Sequence, residues 1–213
     1  MRTYRMEMEP TFGIMLASFA LVVPFPGRLA YGILLVILLN LQMLSITFFR
    51  RLVELVHLDD LLSVLTAAML LCESIIFKQL LALYSPLMAL TLSFVIYLPA
   101  VSSFVISHLH PVDSSLNKWD EVRGNIRQSL SFSGLALVFF LVRDVLGYGT
   151  LTLPGRRGLL CMNILSQSES VHTGVFFASI PGAILLVFIS FFLTWQLRRK
   201  FDSVGGTSDD RPA

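Results

Sequence analysis

Glu73 lies within LLCESIIFKQLL, a carboxylate near the centre of an otherwise apolar run. At mid-bilayer an unpaired carboxylate costs on the order of 3 kcal/mol or more, so such a group takes up a proton, meets a cation or finds polar neighbours. Glu73 is therefore the candidate for a proton or cation relay. The competing expectation is a structural bond to Asn40 or Gln42, which fall at the same depth on the preceding apolar run. Lys78, five positions on, stands about 140° around a helix from Glu73, a poor angle for pairing. Its long stem is expected to carry the ammonium outward to the interface.

Arg143 and Asp144 form the second charged feature, followed by Gly147, Tyr148 and Gly149. An Arg-Asp pair ahead of two glycines at a helix end is expected to fix a turn, bonding to one another and to terminal carbonyls. Other chemistries find no support: no metal-ligand cluster, nucleophile with a base, phosphate-cradling glycine loop or dinucleotide fingerprint occurs. His57, His108, His110 and His172 scatter to the ends of apolar runs and do not form a haem pair. Cys72 lies within a run and Cys161 in a connection, so the two are not expected to pair.

The elements that must position these residues are membrane spans. In this 213-residue chain 55% of residues are hydrophobic and 14% charged, and six apolar stretches occupy most of the length. The spans read as Phe12 to Phe25, Leu29 to Phe49, Leu61 to Leu83, Pro86 to Ser107, Ser129 to Leu146 and Gly174 to Trp195. Most approach the ~20 residues that carry a helix across the hydrocarbon layer. The expected fold is all-α: a polytopic bundle over residues 1–200, with a disordered cytoplasmic tail at 201–213. The first run follows Glu7 and Glu9 and ends without a small-residue cleavage site, so it is expected to stay as a span.

With six spans both termini share a side. That side carries Arg2, Arg5, Arg50, Arg51, Lys118, Arg123, Arg127, Arg198, Arg199, Lys200 and Arg211; the other carries Arg28, Arg143, Arg156 and Arg157. The bias predicts cytoplasmic termini. Basic pairs at span ends are accounted for by headgroups and insertion, so no nucleic-acid partner is expected.

Two sets of three spans, about 12–83 and 86–195, would stand inverted relative to each other. Pro24 with Pro26 and Gly27 would break the first helix, and Pro99 the fourth. Broken helices meeting near the midplane are a feature of inverted repeats; a simple proline kink in each is the alternative. The polar connection from His108 to Gln128 is expected on the cytoplasmic side, with Trp119 at headgroup level. In the opposite connection, Gly147 to Thr173, the apolar patch from Leu159 to Leu165 is left open between lying along the interface and dipping inward.

NLQMLSITFFRR at 40–51, the Glu73 to Tyr84 stretch with its Glu, Lys and Leu-Tyr, RDVLGYGTL at 143–151 and PGAILL at 181–186 occur in an order that spans most of the chain. Together they resemble the small six-span subunits of Rnf-type electron transport complexes and of the sodium-pumping NADH:quinone reductase, nearest the Rnf E and Nqr D branch. The resemblance implies a bacterial inner-membrane subunit that pairs with a homologous six-span subunit of opposite orientation and with further Rnf- or Nqr-like subunits. In that family each subunit gives two cysteines, from broken first and fourth helices, to an intramembrane 2Fe–2S cluster. The matching positions here are Val23 with Pro24, and Leu98 with Pro99, none of them a cysteine. The chain is thus expected to bind no cofactor itself, any flavin residing on partner subunits, and to act as a non-catalytic scaffold coupling electron transfer to ion movement. The alternatives are a stand-alone inverted-repeat transporter or permease, with a midplane site between Pro24 and Pro99, and an assembly factor.

Overall fold

The computed structural model describes residues 21–57, 61–102, 105, 118–155, 158–164 and 174–205. Most of the expected first span, Arg2, Arg5, His108, His110, Arg156, Arg157, His172 and the tail from 206 lie outside the described residues.

Residues 21 and 22 are helical, Val23 and Pro24 form a turn, and α1 begins only at Leu29, running to Val56. Two prolines without amide hydrogens explain why no helix passes through this stretch. Helix α2 covers Leu62–Tyr84 and ends because Ser85 precedes Pro86, which pushes it into extended geometry (φ −150°, ψ 95°). Pro86 then opens α3, Pro86–Leu92, at a position where its missing amide is harmless. The segment continues as 3₁₀ turns at Val95–Tyr97 and Pro99–Val101 that fold back along α2, the second also touching α1. The expected fourth span is therefore broken, and the α-helix stops at Leu92, ahead of Pro99.

Helix α4 runs Lys118–Tyr148, longer than the expected fifth span and enclosing both Arg143 and Asp144. Gly149, at φ +64°, ends it in the left-handed conformation that suits glycine. A hairpin follows, which the all-helical expectation did not include: β1, Thr150–Gly155, pairs antiparallel with β2, Gly158–Asn163. The last apolar segment is also broken, into α5, Gly174–Ala178, and α6, Ile180–Gly205. Helix α6 extends through the first five positions of the region read as a tail.

Among the described residues, Leu29–Val53, Leu62–Tyr84 and Ile126–Tyr148 are helices long and apolar enough to cross a membrane. Helix α1 is the hub, packing on α4 along one side and on α2 along another. Gly32 lets α1 press its backbone onto the ring of Phe140, which also meets Phe25 edge-on at 6.4 Å. Large apolar side chains on the outward faces, such as Phe48, Leu83, Leu90 and Phe188, suit a lipid surround. A Gly32→Val change should cost about 1–3 kcal/mol by forcing this contact apart. A lowered melting temperature of the protein in detergent would register it, and an unchanged one would refute the close approach.

Candidate functional site

The described charged residues of interest fall into two places. The first is a buried junction at the hairpin end of the bundle. Arg143 is 1% exposed and Asp144 is fully buried. They do not bond to one another, as the sequence had suggested. Arg143 donates to Phe25 O (2.7 Å), Ala178 O (2.9 Å), Phe177 O (3.3 Å) and Ser179 O (3.4 Å). Those carbonyls belong to the turn before α1 and to the break between α5 and α6. Prolines and a helix break leave Phe25 O, Phe177 O and Ala178 O without intrahelical donors, while Ser179 O also accepts from Ala183 N, and a guanidinium with five N–H groups is suited to gather several.

Asp144 does the complementary work. Its Oδ2 accepts from Leu29 N (3.2 Å), Thr152 N (2.8 Å) and Thr152 Oγ1 (2.6 Å), while Oδ1 accepts from Thr150 Oγ1 (3.4 Å). Ala30 N in turn donates to Thr152 Oγ1 at 3.3 Å. The first amides of α1 are thus capped from a distant part of the chain, negative charge meeting the positive end of the helix. Gly27 and Gly147 make room: a Cβ on Gly27 would lie 2.8 Å from Arg143 Nε, and one on Gly147 2.9 Å from Ala178 Cβ. Beside the junction, the Arg28 guanidinium stacks 4.5 Å from the Tyr148 ring and donates to Cys161 Sγ at 3.5 Å. Both cysteines are free thiols and exposed.

The second place is the seam of α1 with its neighbours. Asn40 faces α4, donating to Ser133 Oγ (2.7 Å) and accepting from Ser129 Oγ (2.8 Å). Gln42 faces α2 and donates to Ser74 Oγ at 3.0 Å. Neither reaches Glu73. Its partner is Ser45, whose hydroxyl donates to Oε1 at 2.9 Å. Glu73 Oε2 is buried and has no hydrogen-bond partner. The carboxylate lines a cavity of about 270 Å³ walled by Leu41, Met69, Cys72, Phe77 and Leu80. Lys78, expected to reach outward, holds its ammonium over the Tyr97 ring at 5.5 Å. Glu73 sits 11 residues from the hairpin-side end of α2 and Arg143 five from that of α4. At 1.5 Å per residue the two places differ in depth by roughly 9 Å.

Of the remaining expected positions, Val23 and Leu98 are half-buried and pack against one apolar core, to which Val22, Phe25, Ile96 and Ala100 contribute. Pro99 is buried at the start of a 3₁₀ turn. Among the described residues no group of three or more His, Cys, Asp or Glu could hold a metal. Ser45, Thr152, Ser129 and Ser133 were not singled out from sequence. The four-residue spacing of the last two, matching one helix face, was the available signal. Compared with known proteins, the chain matches no family model, no curated protein and no solved structure.

Replacing Asp144 by Ala should destabilise the fold by about 2–4 kcal/mol, since it strands Leu29 N and both Thr152 donors. Asp144→Asn keeps an acceptor for all three and should lose much less. Denaturation of both variants in detergent tests this, and equal losses would contradict the capping role.

Proposed function

We propose that this chain is an integral membrane subunit of an Rnf- or Nqr-like ion-translocating oxidoreductase, a scaffold that couples electron transfer in partner subunits to ion movement through Glu73. The observation that carries the reading is the Glu73 carboxylate in an apolar cleft between two membrane-length helices, one oxygen held by Ser45 and the other open. A carboxylate so placed is costly unless it is protonated, meets a cation or is bonded by polar neighbours, and the oxygen that Ser45 leaves open makes it a stop for a passing cation or proton. The run at 143–151, which carries the most specific part of the family resemblance, is also where broken helix ends are clamped. Six spans in two inverted triplets, cytoplasmic termini and a bacterial inner membrane belong to the same reading and rest on the resemblance and on the distribution of Lys and Arg.

An iron–sulfur cluster requires thiolates, and Val23, Pro24, Leu98 and Pro99 do not fit one. Cys72 and Cys161 lie on α2 and β2, and neither stands at one of those four positions. No electron step is therefore assigned to this chain, and its partners, a homologous six-span subunit of opposite orientation among them, would hold the redox groups. The permease alternative needs a polar midplane site between Pro24 and Pro99. Both breaks instead contribute to apolar packing, which favours the scaffold.

In the native complex, Glu73→Gln should lower ion translocation at least about tenfold while leaving subunit recovery intact. Unchanged translocation would remove Glu73 from the path. Purification from the native membrane should bring down a second six-span homologue and a flavin-bearing partner, and isolation of this chain alone would end the complex reading.

A further inference from the structure

The register of the hairpin decides where its backbone groups point. Gly149 continues that register opposite Ile164 and accepts from its amide at 3.0 Å. Bonded and unbonded positions alternate along an antiparallel pair, so Leu151 with Met162, Leu153 with Leu160 and Gly155 with Gly158 bond across the hairpin. Thr150, Thr152 and Pro154 turn their backbone groups to the outer edge of β1, and Leu159, Cys161 and Asn163 turn theirs to the outer edge of β2. The Thr152 amide agrees with this assignment, since it donates to Asp144, outside the sheet.

The two edges are finished differently. On β1, Asp144 occupies the Thr152 amide and Pro154 has no amide to offer. On β2, no hydrogen bond among the described residues takes up the outward backbone groups of Leu159, Cys161 or Asn163. Edges that stay single are guarded by charge or proline, and Gly158–Asn163 carries neither. The faces of the hairpin differ as well. Thr152 and Cys161 point to the start of α1, where they meet Ala30 N and Arg28. Leu153, Leu160 and Met162 share the opposite face, the last two each 60% exposed. An apolar face of this kind draws the hairpin out of water, where open backbone groups cost more.

We propose that the outer edge of β2 pairs with β2 of a second copy of this chain, antiparallel about a two-fold axis between the two Cys161 residues. A strand without charges meets itself with no like-charge cost. The blocked edge of β1 ends the sheet at four strands, so the pairing closes as a dimer and does not propagate. With Cys161 opposite its counterpart, Leu159 faces Asn163 in both directions and all three outward positions find partners. A shift of two residues either way leaves one of them opposite a residue outside β2. In the shared sheet both inner faces lie on one side, so the two bundles cross the membrane in the same sense.

The dimer does not rest on the ion-coupling function and is tested apart from it. Membranes holding the full-length protein are oxidised with copper phenanthroline and run on non-reducing gels. Paired Cys161 residues would have Cα atoms about 5.5 Å apart, within disulfide reach. Cys72→Ser should therefore give a linked homodimer, and Cys161→Ser, in which the exposed Cys72 controls for random collision, should give none. In copies lacking both native cysteines, Leu159→Cys and Asn163→Cys should link to each other when coexpressed. Asn163→Cys should not link to itself, since its two copies would stand roughly 14 Å apart. Asn163→Pro gives β2 the block that Pro154 gives β1 and spares every bond within the hairpin. It should lower the Cys161-linked fraction about tenfold with the yield of folded monomer unchanged. Absence of a Cys161 homodimer, linkage of Cys161 only to a different protein, or Asn163→Cys linking to itself as readily as to Leu159→Cys would overturn the pairing.

Discussion

Two adjacent side chains of opposite charge hold this bundle together at its hairpin end. Membrane helices that break must give their freed carbonyls and amides to something other than water. Arg143 takes the carbonyls from the turn before α1 and from the α5–α6 break; Asp144 takes the amide that opens α1 and that of Thr152 within β1. Being neighbours on α4, they supply a positive and a negative group to helix ends of matching polarity. Neither needs the other as a counter-ion, because each faces the partial charges of a backbone terminus. The glycines at 27 and 147 follow from the same demand, since side chains there would occupy the space of the guanidinium and of Ala178.

The helices bounded by strong local signals were legible. Leu29 and Tyr84 mark the edges of α1 and α2 within a residue or two of the expected spans, because Pro26, Gly27 and Pro86 act on their immediate neighbours whatever the tertiary setting. The breaks were legible in kind but not in place. Helix α3 ends at Leu92, short of Pro99, and the last segment breaks at Ser179, which has no proline before it. The hairpin escaped notice because Leu151, Thr152, Leu153 and Leu159 to Met162 read as apolar runs too short to distinguish strand from interfacial helix.

The site followed the same pattern. Glu73 was visible because a charge inside an apolar run stands out from composition alone. Its partner was not, since Asn40, Gln42 and Ser45 lie within six positions on α1 and only the rotation of that helix decides which of them faces which neighbour. The close approach of Gly32 to Phe140, a contact between distant positions, is one restraint on that rotation.

The span of chain between Asp144 and the amides it caps bears on how the protein is made. Leu29 and Asp144 are 115 positions apart, and Phe25 and Arg143 are 118 apart. Synthesis at about 5–20 residues per second leaves the start of α1 waiting several seconds before its cap emerges. Through that interval the bare amides must stay where water can serve them, and can be buried only after the ribosome has delivered α4. The N-terminal third is thereby kept provisional until the C-terminal half arrives, and a nascent chain truncated before Arg143 would present an unfinished helix end to the cell's membrane proteases.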